Sequence, residues 1–233
     1  MIDVKVLGSS SSGNCYILTA EKEVLLLECG IHAKKIMHGL NFNVSNVAGC
    51  LITHEHKDHS LSARDLTRSG IDIYASQGTL QAIGLDGHRS HVIKAKEHFE
   101  LGGFTILPFE TQHDAAEPLG FLVYHPAFGK LLFATDTYYI QYKFQELKYI
   151  MVECNYSTEI ADGNVAAGIL NPALRRRLQR SHFSLENVKR FLQANDLSQV
   201  EKIMLMHLSS GNSDAVRFKN EIEKLTGIPT VVC

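Results

Sequence analysis

Apolar and polar residues alternate at Ile2, Val4 and Val6, the two-residue period of a half-buried strand. The run from Gly8 to Asn14, GSSSSGN, interrupts that pattern and reads as a tight loop. Residues 15–18 and 24–27 then read as a hairpin around Glu21-Lys22, and residues 33–40 as a short helix. Residues 48–53 are a nearly continuous apolar run, the mark of a strand buried on both faces. The pattern predicts a helix over 60–68 with Ser60 as its N-cap, a strand over 71–75 and a helix over 76–83. Beyond Phe99 short strands follow closely, at 103–109, 119–124, 130–135 and 149–152, with a polar loop at 110–118. Helices return at about 172–180 and 184–194, with Ser184 capping the second. Strand 202–206, helix 215–225 and strand 229–232 follow. Two strand-rich blocks, each followed by helices, predict an α/β domain of two sheets packed face to face with helices outside.

Composition narrows this only slightly. A chain of 233 residues suits one large α/β domain, 1–233, and 45% apolar with 21% charged residues is the balance of an ordinary globular protein. A net charge of -2 gives no global basic field, so any contact with nucleic acid must be local. The five cysteines are scattered, which points to buried thiols in a reducing compartment. The first residues have no basic segment followed by a long apolar stretch, and no apolar run approaches the ~20 residues of a membrane span. A cytoplasmic enzyme without a membrane partner is the expectation.

Twelve histidines are the departure, and three of them fall in ITHEHKDHS, residues 52–60. His54 and His56 are two apart and share a direction in extended backbone. A turn then brings Asp58 and His59 toward a second point. Four such groups in HxHxDH spacing offer two adjacent positions with mixed nitrogen and oxygen donors, suited to Zn²⁺, Mn²⁺ or Fe. Glu55 and Lys57 read as outward-facing spacers.

HxHxDH is the signature of the metallo-β-lactamase fold superfamily, which the chain resembles over most of its length. The resemblance can be narrowed by motifs in chain order: Leu7-Gly-Ser-Ser-Ser-Ser-Gly-Asn14, Gln112-His-Asp-Ala-Ala-Glu-Pro118, Glu153-Cys-Asn-Tyr156, Ser181-His-Phe-Ser-Leu-Glu-Asn187 and Met206-His-Leu-Ser209. Together they are similar to the YycJ (WalJ/VicX) branch, related to phosphodiesterases and nucleases. The resemblance implies a four-layer αββα sandwich with a binuclear centre. His54, His56 and His113 would hold one divalent ion, Asp58, His59 and His207 the second, and Asp136 would bridge them. Asp136 follows the apolar run 131–135 and His207 follows 203–206, so both are strand-end groups. A buried Asp needs a cationic partner.

The implied activity is hydrolysis of phosphodiester bonds, on DNA more than RNA, as an exonuclease, with Asp58 and His182 as catalytic side chains. His182 is either a proton donor to the leaving oxygen or a phosphate contact. Arg175, Arg176, Arg177 and Arg180 either track a phosphate backbone or form a solvated helix face. Glu153 is a candidate partner of a ligand histidine. Glu28 stands where many superfamily members have Asp. Two other readings stay open: a small-molecule hydrolase of cyclic phosphodiesters, lactones or thioesters, and a non-enzymatic binding protein with a metal-stabilised fold. The oligomeric state is open, a dimer included.

Overall fold

The computed structural model describes residues 2–233. The chain divides into two compact units, one running to Glu110 and including Ala115–Gly129, the other comprising Thr111–Asp114 and Lys130–Cys233.

In the first unit, β1 (Asp3–Gly8), β2 (Cys15–Ala20) and β3 (Glu23–Leu27) form an antiparallel meander. Helix α1 (Ala33–Gly39) leads to β4 (Val47–Leu51), which lies parallel to β3. Helices α2 (Lys57–Ser60) and α3 (Ala63–Arg68) precede β5 (Ile73–Ala75), and α4 (Gln77–Ala82) precedes β6 (Ser90–Val92). The sheet order follows the chain order, β1 to β6. Leu26, Cys50, Ile52 and Ile73 pack with Ile36 of α1 and Leu66 of α3, all without solvent exposure. Each aliphatic side chain buried in this way contributes about 1.5–3 kcal/mol. Three further strands, β7 (Phe99–Leu101), β8 (Phe104–Glu110) and β9 (Leu119–His125), run antiparallel in sequence. The expected polar loop at 110–118 joins the last two.

One local expectation fails here. The helix predicted over 60–68 is split, and Ser60 ends α2 instead of capping a helix. Its hydroxyl donates back to the carbonyls of Glu55 (2.7 Å) and His56 (3.1 Å). Ser62 takes the N-cap position of α3, but its hydroxyl donates to Ile31 O at 2.5 Å. The Ser60 hydroxyl thus closes the HxHxDH loop, and that of Ser62 ties the start of α3 to the loop after β3, so neither caps a helix.

The second unit is built on parallel strands β10 (Gly129–Ala134), β11 (Leu147–Glu153), β12 (Lys202–Met206) and β13 (Thr230–Val232), in the order β13-β12-β11-β10. Helices α5 (Thr158–Ala166), α6 (Pro172–Ser181), α7 (Leu185–Ala194) and α8 (Ala215–Thr226) accompany them. Ser184 caps α7 as expected, its side chain accepting from Asn187 N, and Leu185, Val188, Phe191 and Leu192 form the helix's buried face. Helix α5 was not expected, because it buries only Ala161 and carries no apolar stripe to read. Among the described residues no helix is long and apolar enough to cross a membrane.

Register places the polar strand ends. In the first unit Leu27 pairs with Leu51, so Glu28 and the Thr53-His54 pair leave the sheet at one edge. In the second, Ala134 pairs with Val152 and Val152 with Leu205, so Asp136, Glu153 and His207 share the C-terminal edge of three parallel strands. That edge is where α/β sheets gather their chemistry.

The loop after β3 is laced to the HxHxDH loop through the backbone. Asn14 N donates to Asp58 O (2.7 Å), Cys29 N to His59 O (2.9 Å) and Gly30 N to Asn14 O (2.8 Å). A Cβ on Gly30 would stand 1.7 Å from Asp58 O and 2.5 Å from His59 N, both backbone atoms that cannot rotate away. Gly30→Ala is therefore expected to lower unfolding free energy by about 3 kcal/mol, the upper end of overpacking costs. Chemical denaturation measures this, and an unchanged midpoint would mean the two loops are not held in register by that contact.

Candidate metal centre

The first unit supplies His54, His56, Asp58 and His59. His54 and His59 are buried, and Thr53 beside them is too. Thr53 Oγ1 donates to Glu28 Oε1 at 2.6 Å, which commits its only proton. It lies 2.9 Å from His54 Nδ1 and can only accept there. That fixes the proton of His54 on Nδ1 and leaves Nε2 as a lone-pair donor. His54 Nε2 faces His56 Nδ1 at 3.0 Å, so two ring nitrogens converge on one point. His59 repeats the arrangement: Nδ1 is 3.4 Å from Glu28 Oε1, and Nε2 is 3.3 Å from Asp58 Oδ2. Asn14 Nδ2 donates to Asp58 O (3.1 Å) and lies 3.2 Å from His59 Nε2. Burial pushes the Glu28 carboxyl above its usual range, and His59 and Thr53 only partly offset it.

The second unit supplies His113, Asp136, Glu153, His182 and His207. His113 Nδ1 donates to Ser181 O at 2.8 Å, so Nε2 is again the lone-pair nitrogen, 3.6 Å from Asp136 Oδ2. Burial pushes the His113 imidazole below its ordinary value, the neutral form a metal ligand needs, with Asp136 opposing. His207 Nδ1 is 3.3 Å from Asp136 Oδ1 and 3.1 Å from Glu153 Oε1. His182 Nδ1 is 2.6 Å from the same Glu153 oxygen. Burial would drive Glu153 up, but the charge of His182 and the hydrogen bonds of His182 and His207 outweigh it and hold the carboxyl low. Burial alone would lower His182, and Glu153 raises it instead. Asp136, Glu153, His182 and His207 each offer one ligand atom, all within 4.8 Å of one another. Asp136 (φ 45°), His207 (φ 54°) and, in the first unit, Glu28 (φ 65°) all adopt the left-handed region that non-glycine residues avoid.

These donors suit divalent ions. Imidazole nitrogens with their far protons committed, beside carboxylates, form the nitrogen and oxygen set that zinc and manganese take. The histidine and aspartate groups of the chain could therefore hold metal.

Several residues take roles the sequence does not announce. Glu55, expected as a spacer, accepts Ala116 N at 2.8 Å and anchors the 115–118 loop, while Lys57 is exposed as expected. Asn14 and Thr53 fall within motifs of the sequence, but nothing in those motifs announces their contacts with the HxHxDH side chains. Of the arginines, Arg175 is buried: its Nε donates to Asp162 Oδ1 at 2.8 Å and its guanidinium lies 5.3 Å from the Tyr156 ring centroid. Arg176, Arg177 and Arg180 are exposed, with Arg177 paired to Asp114 at 3.1 Å.

Comparison with known proteins gives a consistent picture. The sequence model of the Beta-lactamase superfamily domain matches residues 29–208. The chain is 28% identical to exodeoxyribonuclease WalJ of Streptococcus pneumoniae, covering 89% of this chain and 82% of that protein. It is 26% identical to exodeoxyribonuclease YycJ of Bacillus anthracis, covering 89% and 83%. The metallo-β-lactamase fold protein YhfI of Bacillus subtilis superposes with a TM-score of 0.74 at 14% identity, over 100% of this chain and 97% of that one. The expected α/β metallo-β-lactamase fold is thereby shown.

The Glu28–Thr53–His54 relay makes a specific prediction. Thr53→Val keeps the shape but removes the hydroxyl that sets the His54 tautomer. Metal affinity should fall 10- to 100-fold, roughly the effect of losing such an outer partner, in a competition titration against a chromophoric chelator. Unaltered affinity would show that His54 is oriented without Thr53.

Proposed function

The chain belongs to the Beta-lactamase superfamily domain family, and from that membership we propose that it is a metal-dependent hydrolase of phosphodiester bonds that acts on DNA as an exonuclease. The observation that carries this reading is the cluster of Asp136, Glu153, His182 and His207, whose donor atoms lie within 4.8 Å: two proposed ligands beside the proposed proton donor and its carboxylate partner. Two relatives are named exodeoxyribonucleases, which supports DNA over a small substrate.

In this reading His54, His56 and His113 would hold one divalent ion and Asp58, His59 and His207 the other, with Asp136 common to both. The ions would be Zn²⁺ or Mn²⁺, with Fe the third choice. Such a pair, when bound, makes hydroxide available near neutral pH and neutralises the charge of an in-line phosphoryl displacement. The protein's own groups do the rest. Asp58 receives a proton from the attacking water at its carboxylate. His182, held at Nδ1 by Glu153, whose charge raises the imidazole above its ordinary value against the effect of burial, donates from Nε2 to the leaving oxygen. Arg176, Arg177 and Arg180 lie exposed on α6, which ends one residue before His182, and contact backbone phosphates. Arg175 serves differently, pinning α6 to Asp162 of α5 and to Tyr156. Five cysteines outside any disulfide, four of them buried, support a cytoplasmic location.

Purified protein supplied with Mn²⁺ or Zn²⁺ should shorten end-labelled oligonucleotides when tested beside a bis-aryl phosphodiester and a lactone. Turnover of the lactone alone would overturn the nuclease reading. His56→Ala should lose at least one equivalent of bound metal by elemental analysis, and full metal content would remove it from the ligand set. Replacing Arg176 and Arg177 by Gln should flatten the salt dependence of single-strand binding. Two lost phosphate contacts reduce the log–log slope by about 1.4, and an unaltered slope would make these arginines a solvated face.

A further inference from the structure

Within the second unit, the segment after Asp136 and helix α7 enclose a cavity of about 430 Å³ that the reading above does not use. Its walls include Tyr138, Tyr139 and Tyr142, with Phe183 and Phe191 buried behind them. Tyr138 and Tyr139, adjacent in the chain, are 36% and 56% exposed. Lys143 and Arg190 also line the cavity, both exposed, and no carboxylate is among the residues lining it. The lining amides are already engaged: Asn187 donates to Tyr138 O and accepts from Arg190, Asn195 accepts Phe144 N and donates to Phe191 O, and Gln141 donates to the Tyr142 hydroxyl. What the cavity offers a ligand is chiefly ring surface and two cations.

We propose that this cavity is a stacking site for an unpaired base of single-stranded DNA, with Lys143 and Arg190 meeting the adjoining phosphates. The inference rests on the nuclease reading and specifies how its substrate is held. Aromatic faces beside cations are what single strands bind, because every base has a stackable face and every linkage a charge. The volume suits one nucleotide's base and sugar, a small-ligand site, and not a duplex. The segments that form the cavity are also tied to the proposed catalytic groups through Glu153. Thr137 N and Phe183 N both donate to Glu153 Oε2, at 3.1 and 2.9 Å, while Glu153 Oε1 holds His182. Thr137 directly follows Asp136, and Phe183 directly follows His182. A base seated here would be held by the same two segments that carry Asp136 and His182.

The test compares a natural single-stranded oligonucleotide with one carrying abasic sugars in its terminal positions at both ends. Wild-type protein should lose roughly tenfold in kcat/KM on the abasic strand, the effect of one lost stack. Tyr139→Ala and Tyr138→Ala should lose the same on the natural strand and little more on the abasic one, with thermal midpoints unchanged. Tyr139→Phe, which keeps the ring, should restore the wild-type preference. The same discrimination should appear in binding anisotropy with the cleavage-impaired His56→Ala protein. If wild type cleaves both strands equally, or the alanine variants still discriminate, the stacking site is wrong and the nuclease reading stands. If wild type cleaves neither strand, the nuclease reading fails and the stacking site falls with it.

Discussion

The second unit is organised around a carboxylate that has no contact with water. Glu153 is fully buried, and withdrawing a carboxylate from solvent costs several kcal/mol or more unless donors replace it. Four do: Thr137 N, Phe183 N, His182 Nδ1 and His207 Nδ1. One side chain at the end of β11 thus fixes the turn after β10, the turn before α7 and two imidazoles at once. It also accounts for the strain nearby. A non-glycine residue in the left-handed region costs about 1–3 kcal/mol and survives only where its surroundings over-determine it. Asp136 is such a residue, and its neighbour Thr137 is tied to Glu153; His207 is another, and its own ring is tied to Glu153.

The first unit solves a similar problem with Glu28, and the differences are informative. Glu28 is equally buried and also left-handed, but its donors are one hydroxyl at 2.6 Å, a long N–H contact at 3.4 Å and an imidazole at 3.4 Å. Weaker solvation leaves burial dominant, so its carboxyl rises where that of Glu153 is held down. The extra methylene relative to Asp gives the carboxylate reach. It contacts Thr53 and, through Thr53, orients His54, while also facing His59. The longer Glu28 side chain thus brackets two of the histidines proposed as ligands.

The sequence made the donors legible and left their supports hidden, for a physical reason. A polar group ending an apolar strand contradicts its surroundings, so the HxHxDH loop, Asp136 and His207 stand out in one dimension. Thr53, Asn14 and the fourfold role of Glu153 rest on contacts between residues 16 to 54 positions apart, which no local pattern encodes. The arginine cluster shows the same limit. Arg175 and Arg176 are neighbours of one type, yet a helix turns 100° per residue, so one is buried against Tyr156 while the next faces solvent. Helix α5 lacked an apolar stripe, and Ser60 lay between two uses of a hydroxyl, capping forward or bonding back. The strands were the most legible elements, because burial on both faces writes itself as continuous apolar runs.

Histidine and aspartate donors of this kind serve hydrolysis of many ester types on one fold, so they cannot by themselves choose a substrate. The choice must come from surfaces that differ between members yet stay rigidly referenced to the reacting groups. The second unit has two such surfaces. Helix α6 ends at Ser181, whose carbonyl holds His113 and which immediately precedes His182, so exposed arginines on α6 are indexed to two of the proposed reacting side chains. The tyrosine-lined segment starts at Thr137, indexed to Asp136 through Glu153. Because each surface is anchored at its root and exposed at its tip, its outer residues can change with little cost to the buried network. Substrate preference and hydrolytic chemistry are thereby separable by substitution, while both depend on the same buried carboxylate.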